Sequence, residues 1–339
     1  MTTLTSPHDL IAAIPFLIGY HPTNSLVLVS LKDDCVGMAM RVDYPALSSI
    51  EQSEEPYESL VKHLVREGAE SALVVAYVPD DRSDGEEVLN AIANSLLTAE
   101  IDLRESLLIY KGRFRSVLCN DKQCCPPEGT ALKEIATSRV AVEQVAQGIM
   151  MPLDDIASLI ASLSSLPLAT NVDFMNRVKD FCVDAQSPTL AADQKDGAIA
   201  VLDLMSRFIA GTVGNNIGGD QELSARVIGR LSDIQVRDFA LGSHDAHTLE
   251  TYAVMWRYLM RIAPCGYIAP LASLLAAVSY ESGAGALAQH CIDRALADNG
   301  GYSLATLLRR VFSAGWPPEA FATLRAELHP KVCASLFDR

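Results

Sequence analysis

Residues 10–31 read LIAAIPFLIGYHPTNSLVLVSL, and this stretch decides how the first third of the chain is expected to fold. Ser6 and Asp9 have the spacing of a capping box, so we predict that a helix begins just before the apolar run. Pro15 is expected to end that helix after little more than two turns. Residues 25–31 follow as an apolar run without a polar face, which is typical of a central strand covered on both sides.

The pattern continues outward from this strand with further buried strands and amphipathic helices. A polar acidic loop over residues 46–56 separates the second strand from the next helix. The element order ββαβαββ predicts an α/β fold, a mixed sheet flanked by helices. The further strands are expected over residues 35–44, 71–78, 103–110 and 113–119, and the helices over residues 56–67 and 83–99.

From about residue 130 onward the sequence changes to Ala, Leu, Ser and Arg in helical phasing, interrupted by breaks such as the glycine-rich residues 211–219. We therefore expect an α/β sheet domain over residues 1–129 and an all-α helical domain over residues 130–339. The tail from residue 268 is similar to stacked helix pairs of the tetratricopeptide kind. Its period is not regular, so a generic helical bundle is the favoured interpretation.

The composition excludes several classes of protein. A formal net charge of −15 opposes binding to a phosphate backbone, so we expect no nucleic-acid partner. No apolar run approaches the ~18 residues of a membrane span, and no basic region precedes the first apolar segment as in a signal peptide. The eight cysteines are spread thinly, unlike a secreted disulfide framework. These features favour a soluble, acidic, cytoplasmic protein that does not bind membranes.

Several stretches together resemble a mainly actinobacterial family known only as domain of unknown function 4192. Phe114 departs from the pattern, because a Trp is expected there. The resemblance implies no activity, substrate, cofactor or site residue. The stretches are IPFLIGYHPTNSLVLVSL (14–31) with MRVDYP (40–45), GRFRSVLCNDKQCCPPEGTAL (112–132), LSDIQVRDFAL (231–241) and APLASLLAAVSYESGAGALAQHCIDRALADNGGYSLATLL (269–308).

The first candidate site lies at the turn before the first strand. A hairpin over residues 25–43 would bring His21, Asn24 and Ser25 close to Arg41 and Asp43. Such a group can bind a small anion or form a Ser, His and Asp relay. The sequence Asn24-Ser25 lacks the G-x-S-x-G elbow that a relay of this kind uses. We favour the alternative that Asn24 and Ser25 cap the turn while Arg41 and Asp43 form an ion pair.

The second candidate is a thiol cluster in the segment CNDKQCCPPEG, which contains Cys119, Cys124, Cys125 and Glu128. Structural zinc usually has four Cys or His ligands in spaced pairs, whereas two of these cysteines are adjacent and no His is near. We therefore expect no metal and favour thiols that fix a loop on the sheet. A redox or disulfide role, with Cys119 and Cys124 as the unstrained pair, and a metal site remain the alternatives.

In the helical half, Arg237, Asp238, His244 and His247 are the polar residues most easily interpreted as a site. We favour ordinary capping and solvent exposure for the two histidines. The chain contains no P-loop, no dinucleotide fingerprint and no H-E-x-x-H motif. The expected function is thus a binding or protein-interaction module without catalysis, with a protein or small-molecule ligand and no assigned cofactor. The alternative is a hydrolase or transferase with an anion-binding site at the His21, Arg41 and Asp43 end of the sheet.

Overall fold

The computed structural model describes residues 3–46, 55–211 and 217–338. Most of the acidic loop expected over residues 46–56 and part of the break over 211–219 lie outside the described residues. The chain divides into two compact units, Met1–Leu159 and Ile160–Arg339. The first contains the sheet and the second is mostly helical, so the expected order of an α/β part followed by a helical part is confirmed.

Unit 1 is built from six strands and the helices that connect or cover them. A further short helix, α5 (Ile156–Ala161), contains the point at which the chain passes into unit 2. The elements of unit 1 in chain order are α1 (Pro7–Ile18), β1 (Ser25–Lys32), β2 (Cys35–Asp43), α2 (Glu55–Glu67), β3 (Ser71–Tyr77), α3 (Gly85–Thr98), β4 (Asp102–Tyr110), β5 (Arg113–Ser116), β6 (Thr130–Ala131) and α4 (Arg139–Ala146).

The sheet has the strand order β2-β1-β3-β4-β5-β6. The pair β3 and β4 is parallel, as a crossover through α3 requires, and the other pairs are antiparallel. On one face, Leu26 and Leu28 pack with residues of α2 and α3 in a single core cluster. Val27 and Val29 point to the opposite face and are also fully buried. The doubly apolar sequence of β1 therefore reflects its central position, covered on both sides.

The first helix is longer than the sequence suggests, because Pro15 does not end it. Ser6 Oγ accepts the Asp9 N–H at 3.2 Å, as the capping spacing predicts. The helix then passes through Pro15 to Ile18 and ends at Gly19, whose φ of 89° suits a glycine cap. Ile14 and Ile18 are buried, and their burial offsets the backbone hydrogen bond that Pro15 cannot donate.

Unit 1 extends beyond the expected boundary at residues 129/130. Thr130 and Ala131, assigned from the sequence to the helical domain, form β6 and pair with β5. Helix α4 begins only at Arg139. The Nη2 atom of Arg139 donates to Asp9 Oδ2 at 2.9 Å. This ion pair and the packing of Val140 against Ala12 and Ala13 attach α4 to α1. The segment after residue 129 therefore belongs to the sheet-containing unit.

Unit 2 is helical, and its most buried element is the apolar helix over residues 268–281, whose residues from Ala269 to Ser279 are all buried. This helix packs against the helices before and after it and against the last two helices. The elements are a 3-10 turn (Pro167–Thr170), α6 (Val172–Asp180), α7 (Leu190–Ile209), α8 (Ile217–Arg230), α9 (Ile234–Gly242), α10 (Leu249–Ile262), α11 (Ile268–Glu281), α12 (Gly285–Asp298), α13 (Ser303–Ser313) and α14 (Pro318–Phe337).

Candidate functional site

One end of the sheet carries a row of polar residues on a single face. Ser25 of β1 lies directly opposite Asp43 of β2 and Tyr77 of β3. Opposed residues of antiparallel strands point to the same face, so these three side chains form one row, and Arg41 lies two residues further along the same face. Ser25 is fully buried, and its Oγ makes no hydrogen bond to any residue that the structure describes.

Arg41 and Asp43 form an ion pair along β2. Arg41 Nη1 lies 2.5 Å from Asp43 Oδ1, and the side chain of Arg41 is 16% exposed while that of Asp43 is 88% exposed. The exposed carboxylate of Asp43 neutralises the buried guanidinium of Arg41. This limits the attraction of Arg41 for a further anion. Within the described chain, the buried Arg41 Nε has no hydrogen-bond partner.

His21 and Asn24 do not join this row through hydrogen bonds. The His21 N–H donates to the Leu153 carbonyl oxygen at 2.9 Å, and burial lowers the pKa of His21 although Asp154 opposes the shift. The imidazole is therefore neutral at pH 7 and contributes no charge to an anion site. Asn24 adopts a left-handed φ of 46°, and its side chain is exposed. Since Ser25 Oγ has no partner among the described residues, a Ser–His relay is not assembled.

Two tyrosines at the same sheet end were missed from the sequence. Tyr77 Oη is buried without a partner in the described residues, and burial raises the pKa of its phenol. Tyr20 is 1% exposed, and burial also raises its pKa, with Arg41 lowering and Asp43 raising it. That dependence locates the Tyr20 phenol near the ion pair. The only sequence signal was the position of Tyr77 at the end of a buried strand.

The three clustered cysteines of the sequence come together in the loop between β5 and β6. The sulfur atoms of Cys119, Cys124 and Cys125 all lie within 4.8 Å of one another, and all eight cysteines of the chain are free thiols. Glu128 does not belong to this group: it is exposed, and its backbone carbonyl accepts a hydrogen bond from Arg113 Nε at 2.8 Å. Burial, with hydrogen bonds to the neighbouring thiols Cys119 and Cys124, raises the pKa of Cys125 to about 11.

Unit 2 contains an open groove between α9, α13 and α14. Its cavity volume is about 290 Å³, and an adjoining cavity of about 210 Å³ shares Arg237 and Ser303 with it. Arg237 Nη2 donates to Asp238 Oδ1 at 2.6 Å, and its guanidinium lies 5.8 Å from the centre of the Tyr302 ring. The remaining residues that line the larger cavity are mainly apolar: Leu241, Leu304, Leu307, Leu328 and Val332.

Next to the groove, a buried charged cluster joins α11 to α14. Arg325 Nε and Nη2 donate to the two oxygens of Glu281 at 2.7 and 3.1 Å, and His244 Nε2 lies 3.1 Å from Glu281 Oε2. The expectation that both histidines of the HDAH segment are exposed is wrong for His244, which is 4% exposed. Helix α14 covers it through Arg325, whose Nη1 also donates to the His244 carbonyl oxygen. His247 is exposed as expected.

Comparison with known proteins identifies one family. The model of the family described as Domain of unknown function (DUF4192) matches residues 7–319. No curated protein and no solved structure matches this chain. Among the helices of the described residues, none combines the length and the apolar character that crossing a membrane requires.

Proposed function

The chain belongs to the family of domain of unknown function (DUF4192), and we propose that it is a protein-interaction module rather than an enzyme. The proposed binding element is the groove between α9, α13 and α14. Its proposed ligand is a segment of a partner protein that carries apolar side chains and one carboxylate. The observation that carries the proposal is the presence of exposed leucines along a groove that ends at a largely buried arginine.

The exposed apolar residues support a protein ligand. Leu307 and Leu328 are 57% and 47% exposed, and both line the groove; Ile234, 58% exposed, lines the adjoining cavity. Single exposed leucines are ordinary on protein surfaces, but exposed leucines that border one concavity are typical of an interaction site. A partner segment that covered them would remove their apolar area from water, at about 25 cal/mol per Å².

The charges of the groove support a carboxylate on the ligand. Arg325 is already fully engaged by Glu281 and two backbone carbonyl oxygens. Arg237 lines both cavities, and it donates to the neighbouring Asp238, whose side chain is 35% exposed. A ligand carboxylate can therefore share or replace this contact, and a charge-assisted hydrogen bond of that kind is stronger than a neutral one.

A Cys–His contact beside the groove does not have the properties of a nucleophilic pair. Cys333 Sγ lies 3.4 Å from His329 Nε2. Burial raises the pKa of Cys333 and lowers that of His329, so the thiol form and the neutral imidazole are favoured. An activated Cys–His pair needs the thiolate, which requires a lowered pKa of the cysteine and a raised pKa of the histidine. This contact therefore offers no activated nucleophile at the groove.

We expect Leu307→Glu to weaken ligand binding at the groove strongly, because the substitution places a charge among its leucines. The probe is a displayed library of random short peptides, selected on the purified wild-type chain. Selected peptides should share apolar residues beside an acidic one, and Leu307→Glu should weaken them at least about tenfold. Arg237→Gln should weaken the same peptides and reduce the preference for the acidic residue.

Leu202→Glu is the matched control, because Leu202 is 45% exposed on α7 and does not line either cavity. It should bind the selected peptides as the wild type does. Selected peptides that bind Leu307→Glu and wild type equally would contradict the proposal. So would a dimer of the wild-type chain, seen by light scattering and lost in Leu307→Glu, since the groove would then hold a second copy of the chain.

A second candidate function is small-ligand binding at the sheet end that contains Ser25, Arg41 and Tyr77. The observation that favours it is that Ser25 Oγ, Arg41 Nε and Tyr77 Oη are buried without partners among the described residues. Buried polar groups normally have partners, so three unpartnered atoms on one sheet face indicate a site for polar ligand atoms. This is the site at which a hydrolase or transferase acting on a small anion would bind its substrate.

Two serines of β1 test this second candidate. Ser30 Oγ accepts the Met38 N–H at 2.7 Å and shares this donor with Glu67 Oε1, so Ser30→Ala should lower the free energy of unfolding by about 0.5–1 kcal/mol. Ser25→Ala removes a hydroxyl that has no partner among the described residues, so it should leave the free energy of unfolding of the ligand-free protein unchanged. Urea unfolding followed by circular dichroism measures both. An equal loss in the two variants would show that Ser25 has a structural partner and would remove the support for a ligand site.

A further inference from the structure

The loop over residues 117–129, which joins β5 to β6, has little hydrophobic burial to hold it. Leu118 is 48% exposed, and Cys124 is exposed. Two backbone turns fold it back on itself: the Cys125 N–H donates to the Asp121 carbonyl oxygen at 2.7 Å, and the Gly129 N–H donates to that of Pro126 at 2.8 Å. Val117 at its start packs against the core cluster, and the rest of the loop is ordered by local turns around its three thiols.

These turns bring the three sulfur atoms together. In the sequence, Cys124 and Cys125 are adjacent and no His is near, and for these reasons we expected no metal. In the structure their sulfur atoms lie within 4.8 Å of each other and of Cys119 Sγ. Three thiolates around a zinc ion, at the usual Zn–S distance of about 2.3 Å, have S···S distances of about 3.8 Å in a tetrahedron. A contraction of at most about one ångström therefore completes three corners of such a site.

A disulfide fits the arrangement less well. A disulfide joins two sulfur atoms at about 2 Å and would leave the third thiol of the cluster unused. A bond between Cys124 and Cys125 would also require a strained ring between adjacent residues. A thiophilic ion binds all three sulfur atoms at once. It therefore accounts for the convergence of three thiols, which a disulfide between two of them does not explain.

We propose that Cys119, Cys124 and Cys125 bind one zinc ion through three thiolates, with the fourth coordination position open to solvent. Among the described residues no carboxylate or imidazole joins the group, so water completes the tetrahedron. Cys119 and Cys125 are half-buried and Cys124 is exposed, which gives an ion a path from solvent. The ion would crosslink the two ends of the turn formed by residues 119–125 and stabilise the loop, because binding to the folded state adds to folding stability.

The test uses the full chain, purified with a reductant and without a chelator. We expect elemental analysis to find about one zinc ion per chain, and cobalt added to the metal-free protein to give a sulfur-to-cobalt charge-transfer absorption band. Zinc should also protect three thiols from alkylation, and mass spectrometry of the peptides should locate them at Cys119, Cys124 and Cys125. This protection assay needs no variant, so it does not depend on whether substituted chains fold.

Cys119→Ser, Cys124→Ser and Cys125→Ser should each lose stoichiometric zinc. Cys35→Ser and Cys265→Ser are the controls, because both thiols are exposed and lie outside the cluster, and both variants should retain the metal. Absence of stoichiometric zinc after incubation of the reduced protein with the ion would overturn the proposal. So would retention of zinc in the cluster variants, or a disulfide between two of the three cysteines that forms equally well in the presence of zinc.

Discussion

Leu28→Asp is expected to unfold unit 1, with a loss of at least about 4 kcal/mol in the free energy of unfolding. Leu28 is 1% exposed at the middle of β1, opposite Met40 on one neighbouring strand and Val74 on the other. A carboxylate there loses its hydration and finds no partner, and the leucine's packing against α2 and α3 is lost as well. Far-UV circular dichroism during urea unfolding measures the effect.

The control for Leu28→Asp is Leu97→Asp, because Leu97 belongs to the same unit and is 76% exposed on α3. Leu97→Asp should change the free energy of unfolding by no more than about 0.5 kcal/mol. Both tryptophans, Trp256 and Trp316, belong to unit 2, so tryptophan fluorescence reports unit 2 alone. If the units fold independently, Leu28→Asp should leave the fluorescence transition in place. A circular dichroism transition unchanged from that of wild type would instead show that β1 tolerates a charge and is not a buried central strand.

Most strands of the sheet could be predicted, because the sequence pattern that indicates each strand lies within the strand itself. The apolar run over residues 25–31 indicates a doubly covered strand, and the alternation of Val36, Met38, Met40 and Val42 assigns one face of β2. The strand β6 was missed because two residues are too few to show a period, and its existence depends on pairing with β5. Local pattern therefore predicts the long strands and fails for the short one that extends unit 1.

The candidate sites were less predictable, because contacts distant in the sequence determine them. Ser25 and Asp43 were expected to meet, and the hairpin register places them opposite each other. Tyr77 reaches the same row only through pairing of β1 with β3, which the sequence does not specify. His244 is buried by Arg325, 81 positions further along the chain, and no pattern near the HDAH segment indicates that contact. The convergence of adjacent cysteines likewise depends on the turn geometry of their loop.

Arg325→Met is expected to destabilise unit 2 by about 3–5 kcal/mol, because it leaves Glu281 buried without its cation. The two side chains are 8% and 5% exposed, and Arg325 also donates to the carbonyl oxygens of Gly242 and His244. The tryptophan fluorescence transition in urea measures the loss. The control is Arg309→Met, whose ion pair with Asp293 is 42% and 50% exposed, so its loss should be below about 1 kcal/mol.

The double variant Arg325→Met with Glu281→Gln should recover much of this loss, since no charge then remains buried and unpaired.

The destabilisation caused by Arg325→Met should also depend on pH. Burial acts to raise the pKa of Glu281, but the hydrogen bonds from His244 and Arg325 outweigh it and hold the pKa below its ordinary value of 4.5. A depressed pKa gives stability that is complete above 4.5 and is lost as the pH falls through the lowered value. The destabilisation by Arg325→Met should therefore be largest at neutral pH and smaller in acid. A loss of unfolding free energy that stays constant down to pH values well below 4.5 would show that Arg325 acts through packing rather than through its charge.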